Sequence, residues 1–479
     1  MTHRPAPASP RPAQVPAIPA RLEPDAIGVT QDTVIGLASS APAATVGLTL
    51  AALAATAAYG GGPVILLCAA PMLVIANAYR RLNLWNANCG ASFEWVGRAI
   101  NPYLGFLTGW LMIAAYITGV VVLAPSVLAV AGANATSTAA NIAISTAILL
   151  IMLIIAVAGI KLTARTQVAM AIAEYAILIG FAIAGLAWVP GRHPGTVPVT
   201  RGWFSLHGIG GKGDLAAGLV TSVYIFSGWD GTFYVNEEVR QRRVNPGRAA
   251  VIAVGILTVL YVLSQVGLQG VVSPARLQAN STSALVYVAG AMGGGAAAKV
   301  MALSLALSVI AATGTSIVLP ARIIYGMAAR RVLPPFLGTV NRRFATPVPA
   351  SLAVGAVIIG PTIVYLLATS LQSAFNDVVN LSGQMFAVFY ILTALAAVTY
   401  YRHRILASAW DAVLVGVFPL GGAAFLGWIL YNYLQTAAAP QLWSFAGVIG
   451  AGLIMMVIAR FALRSSFFQI PRESAPREP

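Results

Sequence analysis

Charge is what this chain has least of: 9% of its 479 residues are Asp, Glu, Lys or Arg, while 58% are hydrophobic. A soluble protein of that size needs far more polar surface, so the composition leaves an integral membrane protein. Cysteine is nearly absent. Cys68 and Cys89 are the only two, which excludes a disulfide framework and a Cys-x-x-Cys metal site. Histidine is missing from every long apolar run, since His3, His193, His207 and His403 all fall outside them. That excludes an intramembrane His relay, metal ligand or triad base. No apolar run offers paired aspartates or a His-Glu metal motif either, so the residues point to no enzyme, no metal and no cofactor.

What is present is length in the apolar runs. About twelve stretches of roughly 20 residues are each able to cross a hydrocarbon core of about 30 Å as a helix. They run 34–57, 60–79, 103–131, 138–159, 166–189, 215–237, 249–272, 297–327, 348–370, 374–400, 410–434 and 441–465. The expected fold class is therefore an all-α membrane protein with about twelve transmembrane helices. The formal net charge of +15 does not indicate a nucleic-acid partner, because 23 of the 28 Lys and Arg fall on one side of these spans. Only Arg192, Arg201, Lys212, Arg276 and Lys299 fall on the other. By the positive-inside rule this places both termini in the cytoplasm, with the basic face meeting anionic lipid of the cell membrane.

Residues 1–33 carry seven prolines before position 25 and no signal-type apolar run. They are expected to be a disordered cytoplasmic tail. A transport core over 34–401, two additional helices over 402–466 and a cytoplasmic tail over 467–479 complete the expected organisation.

Two spans are interrupted near their middle. The first contains SSAPAAT, residues 39–45, where Pro42 removes a helix hydrogen bond. The sixth contains SGWDG, with Asp230 between two glycines. Irregular backbone at membrane depth is tolerated where it lines a cavity, so two breaks point to one polar site. Spans one and six occupy corresponding positions if spans 1–5 and 6–10 are halves of an inverted repeat, which puts the site at the bilayer midplane. Half-helix N-termini present N–H groups to an anion and C-terminal halves present carbonyls to a cation, so a zwitterion is suited to both.

Four segments in order resemble the amino acid/polyamine/organocation permeases: GASFEWVGRAINPYLGFLTGWLMI (90–113), IFSGWDG (225–231), NEEVRQRRVNPGRAA (236–250) and ARIIYGMAARRVLPPFLGTVNRRFATPVPA (321–350). The resemblance implies a leucine-transporter-type core of five plus five helices with helices 1 and 6 broken. It also implies a secondary transporter for an amino acid or related amine, working by alternating access. Two departures stand out. Where the family commonly carries Gly-x-Gly in the first helix this chain has Pro42-Ala43-Ala44, and where many sodium-independent members place a lysine in the fifth helix it has Glu174.

The candidate substrate residues are Ser40, Ala41, Pro42, Ala43, Ala44 and Thr45 from the first break, with Tyr224, Phe226, Ser227, Gly228, Trp229 and Gly231 from the sixth. Asp230 reads either as a protonatable gate residue, which the resemblance implies, or as an acid capping the second half of its broken helix. Glu174 lies roughly 12 Å along its helix and reads either as a proton-coupling group or as a neutral acid bonded to a hydroxyl on another helix. Ser308, Thr313, Thr315 and Ser316 are sodium-ligand candidates that equally well bond their own helix. Glu237 and Glu238 are expected to form a surface ion-pair network with Arg240, Arg242 and Arg243. Gly105 and Gly109 are expected to serve helix packing. The expected driving ion is the proton, with sodium left open; an exchanger, or a membrane nutrient sensor without net transport, is the alternative.

Overall fold

The computed structural model describes residues 21–130, 137–191, 193–207, 209–368 and 371–476. These form α1 (Val29–Ser39), α2 (Pro42–Thr56), α3 (Gly61–Trp85), α4 (Ser92–Ala99), α5 (Pro102–Val130), α6 (Thr138–Val157), α7 (Ile160–Trp188) and α8 (Lys212–Ile225). They continue as α9 (Asn245–Leu268), α10 (Pro274–Ala279), α11 (Ala284–Ala329), α12 (Val348–Ala368), α13 (Leu371–Tyr400), the short α14 (Ala409–Asp411), α15 (Phe418–Thr436) and α16 (Ala439–Val457). No strand occurs among the described residues. Helices satisfy their own backbone groups, which is what a bilayer interior demands.

Ten helices among the described residues are long and apolar enough to cross a membrane, or eleven if the bent first pair counts as one span. The sixth stretch expected from the sequence, 215–237, is not one helix. It is the 14-residue α8 followed, after an unwound Phe226–Gly228, by a 3-10 turn over Trp229–Phe233. The 46 residues of α11 exceed one crossing because Gly293 and Gly294 leave helical geometry and break it into two.

The loops gather at two opposite ends. At one, the Tyr59 ring stacks on Trp203 with centroids 5.4 Å apart, Gln269 Nε2 donates to Tyr59 O at 3.1 Å, and Val197 N donates to Gly270 O at 2.9 Å. At the other lie most of the described arginines, with residues 21–28 and 467–476. Order begins inside the expected tail: Ile27 exchanges backbone hydrogen bonds with Glu238 and Arg240, and α1 starts at Val29. The polar run VTQD hides this first turn from a hydropathy count, although its Asp32 is fully buried. Residues 1–20 of that tail, and Arg192 of the opposite end, lie outside the described residues.

The far terminus is also folded down, over residues 467–476. Phe467 stacks on Phe93 with centroids 4.3 Å apart, Glu473 N donates to Arg98 O at 2.8 Å, and Ala475 N donates to Tyr400 O at 2.8 Å. The α4–α5 contact depends on glycine, since a Cβ on Gly105 would stand 2.5 Å from the backbone of Gly97. Gly109 packs similarly against Met327 and Phe93.

Glu238 corrects the expectation of a surface network. Glu238 is fully buried and holds Arg322 of α11, itself fully buried, through contacts of 2.9 and 3.0 Å. Glu237 instead accepts from Cys89 N at 3.4 Å. The pairing of Ile27 with residues 238–240 accompanies the inward turn of Glu238, while half-buried Glu237 remains within electrostatic reach of Arg242. Cys68 and Cys89 are both free and buried.

Removing one partner of a buried ion pair leaves an uncompensated charge, so Arg322→Met is expected to cost about 3–5 kcal/mol. Replacing both, as Arg322→Met with Glu238→Leu, should restore most of that loss. Thermal unfolding of the purified protein in detergent checks it, and a double variant no more stable than the single one would contradict it.

Candidate functional site

The first break lies between α1 and α2. Ala41 adopts a left-handed conformation at φ 45° and Pro42 starts the second half-helix. Proline at the first helical position has no N–H to lose. The next two N–H groups are answered from other helices. Glu174 of α7 accepts from Ala43 N through Oε1 at 2.9 Å, and Ser308 of α11 accepts from Ala44 N through Oγ at 3.3 Å. The Ser308 hydroxyl also meets the Glu174 carboxyl. Thr45 N returns to Ala41 O at 2.8 Å. A carboxylate at a half-helix N-terminus is stabilised by the N–H groups and the dipole end, so Glu174 needs no cation.

The second break lies at Phe226–Gly228. Gly228 has φ 103°, and a Cβ on it would sit 2.7 Å from Ser39, so only glycine lets the two breaks touch. Its carbonyl accepts from Ser39 Oγ at 2.5 Å and its N–H donates to the Tyr390 oxygen at 3.4 Å.

Asp230 follows, with no exposed surface. Its Oδ1 accepts from Tyr390 of α13 at 2.7 Å and from Tyr116 of α5 at 3.0 Å, while Tyr234 donates to Oδ2. Three hydroxyls on three segments thus converge on one carboxyl. Trp229 stacks on Tyr390 with centroids 5.3 Å apart and meets Tyr79 edge-on at 5.1 Å. Phe226 packs edge-on against Tyr261 at 5.6 Å.

Between the breaks is a cavity of about 30 Å³. That is room for one or two waters, so the substrate-sized space is closed in this packing. Of the residues anticipated from the sequence, Ser40, Ala41, Ala44, Thr45, Tyr224 and Ser227 line it. Pro42, Ala43, Phe226, Gly228, Trp229 and Gly231 do not, and neither do Glu174 and Asp230, which stand behind the wall. Ser39, Ala115, Tyr116, Gly119, Val120, Ala312, Ser316, Ser382 and Phe386 complete the lining and were not anticipated as substrate residues. They come from the first break and from stretches of α5, α11 and α13 that are continuous helix around these residues, with no local break to mark a site. Of the sodium-ligand candidates, Thr313 bonds Val309 O at 2.8 Å and Thr315 bonds Ala312 O at 3.0 Å, each within its own helix.

Asp32 is the acidic residue the sequence reading passed over. It is fully buried in α1, and neither carboxyl oxygen has a hydrogen-bond partner among the described residues. A low-hydropathy flank had placed it in the tail. Among the described residues no group of three His, Cys, Asp or Glu is arranged to hold a metal ion.

Comparison with known proteins agrees with this architecture. A family model described as Amino acid permease matches residues 29–459. The arginine/ornithine antiporter of Lactococcus lactis subsp. cremoris (strain MG1363) is 22% identical over 383 residues, 75% of this chain and 75% of that protein. The methylthioribose transporter of Bacillus subtilis (strain 168) is 21% identical over 400 residues, 78% of this chain and 82% of that protein. The Asc-type amino acid transporter 1 of Mus musculus is 30% identical over 166 residues, but only 35% of this chain and 30% of that protein.

The tyrosine cluster makes a separate demand. Tyr390→Phe and Tyr116→Phe should each destabilise the protein by about 1–2 kcal/mol through a lost bond to Asp230. The double variant, which strips Oδ1 of both donors, should cost more than the sum because the remaining oxygen is buried and bare. Melting curves of the four proteins test this, and strict additivity would mean that Oδ1 finds another donor.

Proposed function

The chain belongs to the amino acid permease family, and on that premise we propose that it is a secondary transporter carrying an amino acid across the cytoplasmic membrane by alternating access. Both termini face the cytoplasm in this reading, and anionic lipid surrounds the arginine-rich end. The clustering of the arginines with both ordered termini at one end supports that orientation. The two broken helices occupy matching places in two halves of an inverted repeat, spans 1–5 and 6–10, and substrate sits between them at the cavity.

The observation that carries the coupling is the hydrogen bond from Ala43 N to Glu174 Oε1, 2.9 Å long. The N-terminus of α2 suits an anion, and in this packing the protein supplies its own. A substrate carboxylate entering the cavity competes with Glu174 for that half-helix end. Once displaced, Glu174 has neither the N–H donor nor a cation, and a buried carboxylate in that position is neutralised by a proton. The groups around it do not offer a counter-charge: Tyr175 on its own helix and Tyr261 of α9 are its titratable neighbours, with Ser308 of α11 beside them. Exchange of Glu174 for one substrate carboxylate, with one proton taken up by Glu174, thus leaves the charge at the N-terminus of α2 unchanged, and the substrate ammonium is the one charge added to the site. Asp230 joins α5, α13 and the sixth-span break, so its tyrosine bonds must rearrange if those segments separate during the cycle.

The same hydrogen bond favours a second reading. If Glu174 never leaves Ala43 N, it stands permanently where a substrate carboxylate would go, and the cargo is an amine without one. Uptake by proteoliposomes separates the two. Radiolabelled amino acids should enter, their decarboxylated amines should not, and the reverse preference would establish the second reading.

Glu174→Gln, fixed in the neutral form, is expected to bind substrate and exchange it but to lose accumulation driven by a pH gradient. Unchanged accumulation with an unchanged pH profile would make Glu174 structural and leave Asp32 or Asp230 to carry the proton. Ala43→Leu and Ala44→Leu should weaken binding more than Ala51→Leu, which lies in the continuous part of α2. Equal affinity in all three would place the carboxylate site elsewhere.

A further inference from the structure

Asp32 stands outside the cavity, with no exposed surface and no hydrogen-bond partner for either carboxyl oxygen among the described residues. Helix α1 packs against α7, α9, α11 and the sixth-span turn, and the titratable groups on those elements are committed elsewhere. On α7, Lys161 pairs with Glu23, Arg165 is exposed, and Glu174 holds Ala43 N. Tyr175, and Tyr261 of α9, lie beside Glu174, while Arg248 of α9 is exposed. On α11, Arg322 is held by Glu238 and Tyr325 bonds Glu237. Asp230 is ringed by its three tyrosines. No ionised group among the described residues bears on Asp32.

The segment that runs beside α1 offers a polar, uncharged neighbour. Ser39 bonds Gly228 O, a Cβ on Gly36 would stand 2.8 Å from the Thr232 side chain, and Ile27 N donates to Glu238 O at 3.1 Å. Asp32 is one turn from Gly36 on the same helix face and lies between those contacts, which brings it level with residues 233–237. Asn236 stands there, fully buried. Its amide orientation is set by a chain of bonds: Asn83 Nδ2 donates to the carbonyls of Arg242 and Arg243 at 2.9 and 3.1 Å, so Asn83 Oδ1 is the acceptor for Asn236 Nδ2. Asn236 Oδ1 is left as a buried acceptor with no donor among the described residues. Two buried side chains on adjoining segments thus present three unanswered acceptor oxygens.

We propose that Asp32 is a proton-binding site, occupied in this packing, and that the resulting carboxylic acid donates toward Asn236 Oδ1. An ionised carboxylate taken out of water with no partner is far more costly than a neutral acid. One proton removes the charge and turns one of the three acceptors into a donor. The site is separate from Glu174, whose carboxyl has its own N–H partner. Water reaching Asp32 would release the proton, so proton binding favours the packing in which α1 and the sixth-span segment lie together, and alkaline pH favours their separation. That consequence, unlike the proton site itself, rests on the alternating-access reading.

Infrared spectroscopy of the full-length protein in sodium-free liposomes tests the site without any need for transport. The wild type should show the C=O band of a protonated carboxyl, displaced in D2O. Asp32→Asn should remove one carboxyl's share of that band, and Glu174→Gln should leave that share in place. Asn236→Ala takes away the acceptor and should shift the same share without abolishing it, which keeps a readable outcome if Asp32→Asn folds poorly. An Asp32→Asn spectrum identical to that of the wild type, an unmoved band in Asn236→Ala, or loss of the Asp32 share on adding sodium would each overturn the proposal, the last by assigning the site to that ion. Homologous exchange in proteoliposomes then reads the consequence for opening. The wild-type rate should change by up to about tenfold per pH unit where Asp32 titrates, and Asp32→Asn, permanently neutral, should lose that part of the profile; an unchanged profile would overturn the link to opening. Exchange absent from both proteins would sink the transporter reading and leave the infrared result to decide the proton site.

Discussion

A helix that unwinds inside a bilayer frees N–H and C=O groups where there is no water to receive them. This chain unwinds twice, at Ala41 and at Gly228, and the surrounding structure is organised around answering those groups. Ser39 covers the Gly228 carbonyl, Tyr390 covers its N–H, Glu174 covers Ala43 and Ser308 covers Ala44. The partners come from α7, α11 and α13 as well as from the first break itself. Four segments are thereby tied to two short stretches of irregular backbone, and any movement of those stretches must exchange one set of partners for another.

That exchange is where a transporter finds its switch. Bonds to buried, charged or irregular groups are costly to leave unmade, so each arrangement is discrete rather than continuously adjustable. Asp230 is the clearest case, since three tyrosine hydroxyls meet it and each belongs to a different part of the bundle. Glu174 is the complementary case. Its carboxyl holds a half-helix end that an incoming anion would also use, and the proposed coupling of substrate to proton rests on that competition.

The arginine-rich end is fastened by different means. A buried Arg322–Glu238 pair ties α11 to the segment after the sixth span, the strand-like pairing of Ile27 brings the start of α1 against that same segment, and the C-terminal segment is bound across α4 and α13. The opposite end relies instead on the Tyr59–Trp203 stack and backbone bonds between loops.

By itself the sequence determined the class and the location of the irregular backbone. Apolar runs longer than a bilayer is thick cannot be anything but spanning or buried helices, and Pro42 and the glycines flanking Asp230 weaken the helix where they stand. These are local properties, so they could be read locally. The partners could not. That Glu174 reaches Ala43, that Tyr116, Tyr234 and Tyr390 converge on Asp230, and that Glu238 turns inward to Arg322 instead of outward to Arg240 all depend on which helix faces lie together. Helix α1 was read short because VTQD is polar, and Asp32 was lost with it; only packing shows that this turn is buried. The cavity lining from α5, α11 and α13 was invisible for the same reason: a tyrosine or serine in an unbroken apolar helix has no local feature to distinguish a site from a packing contact, and the distinction arises when another helix is brought against it.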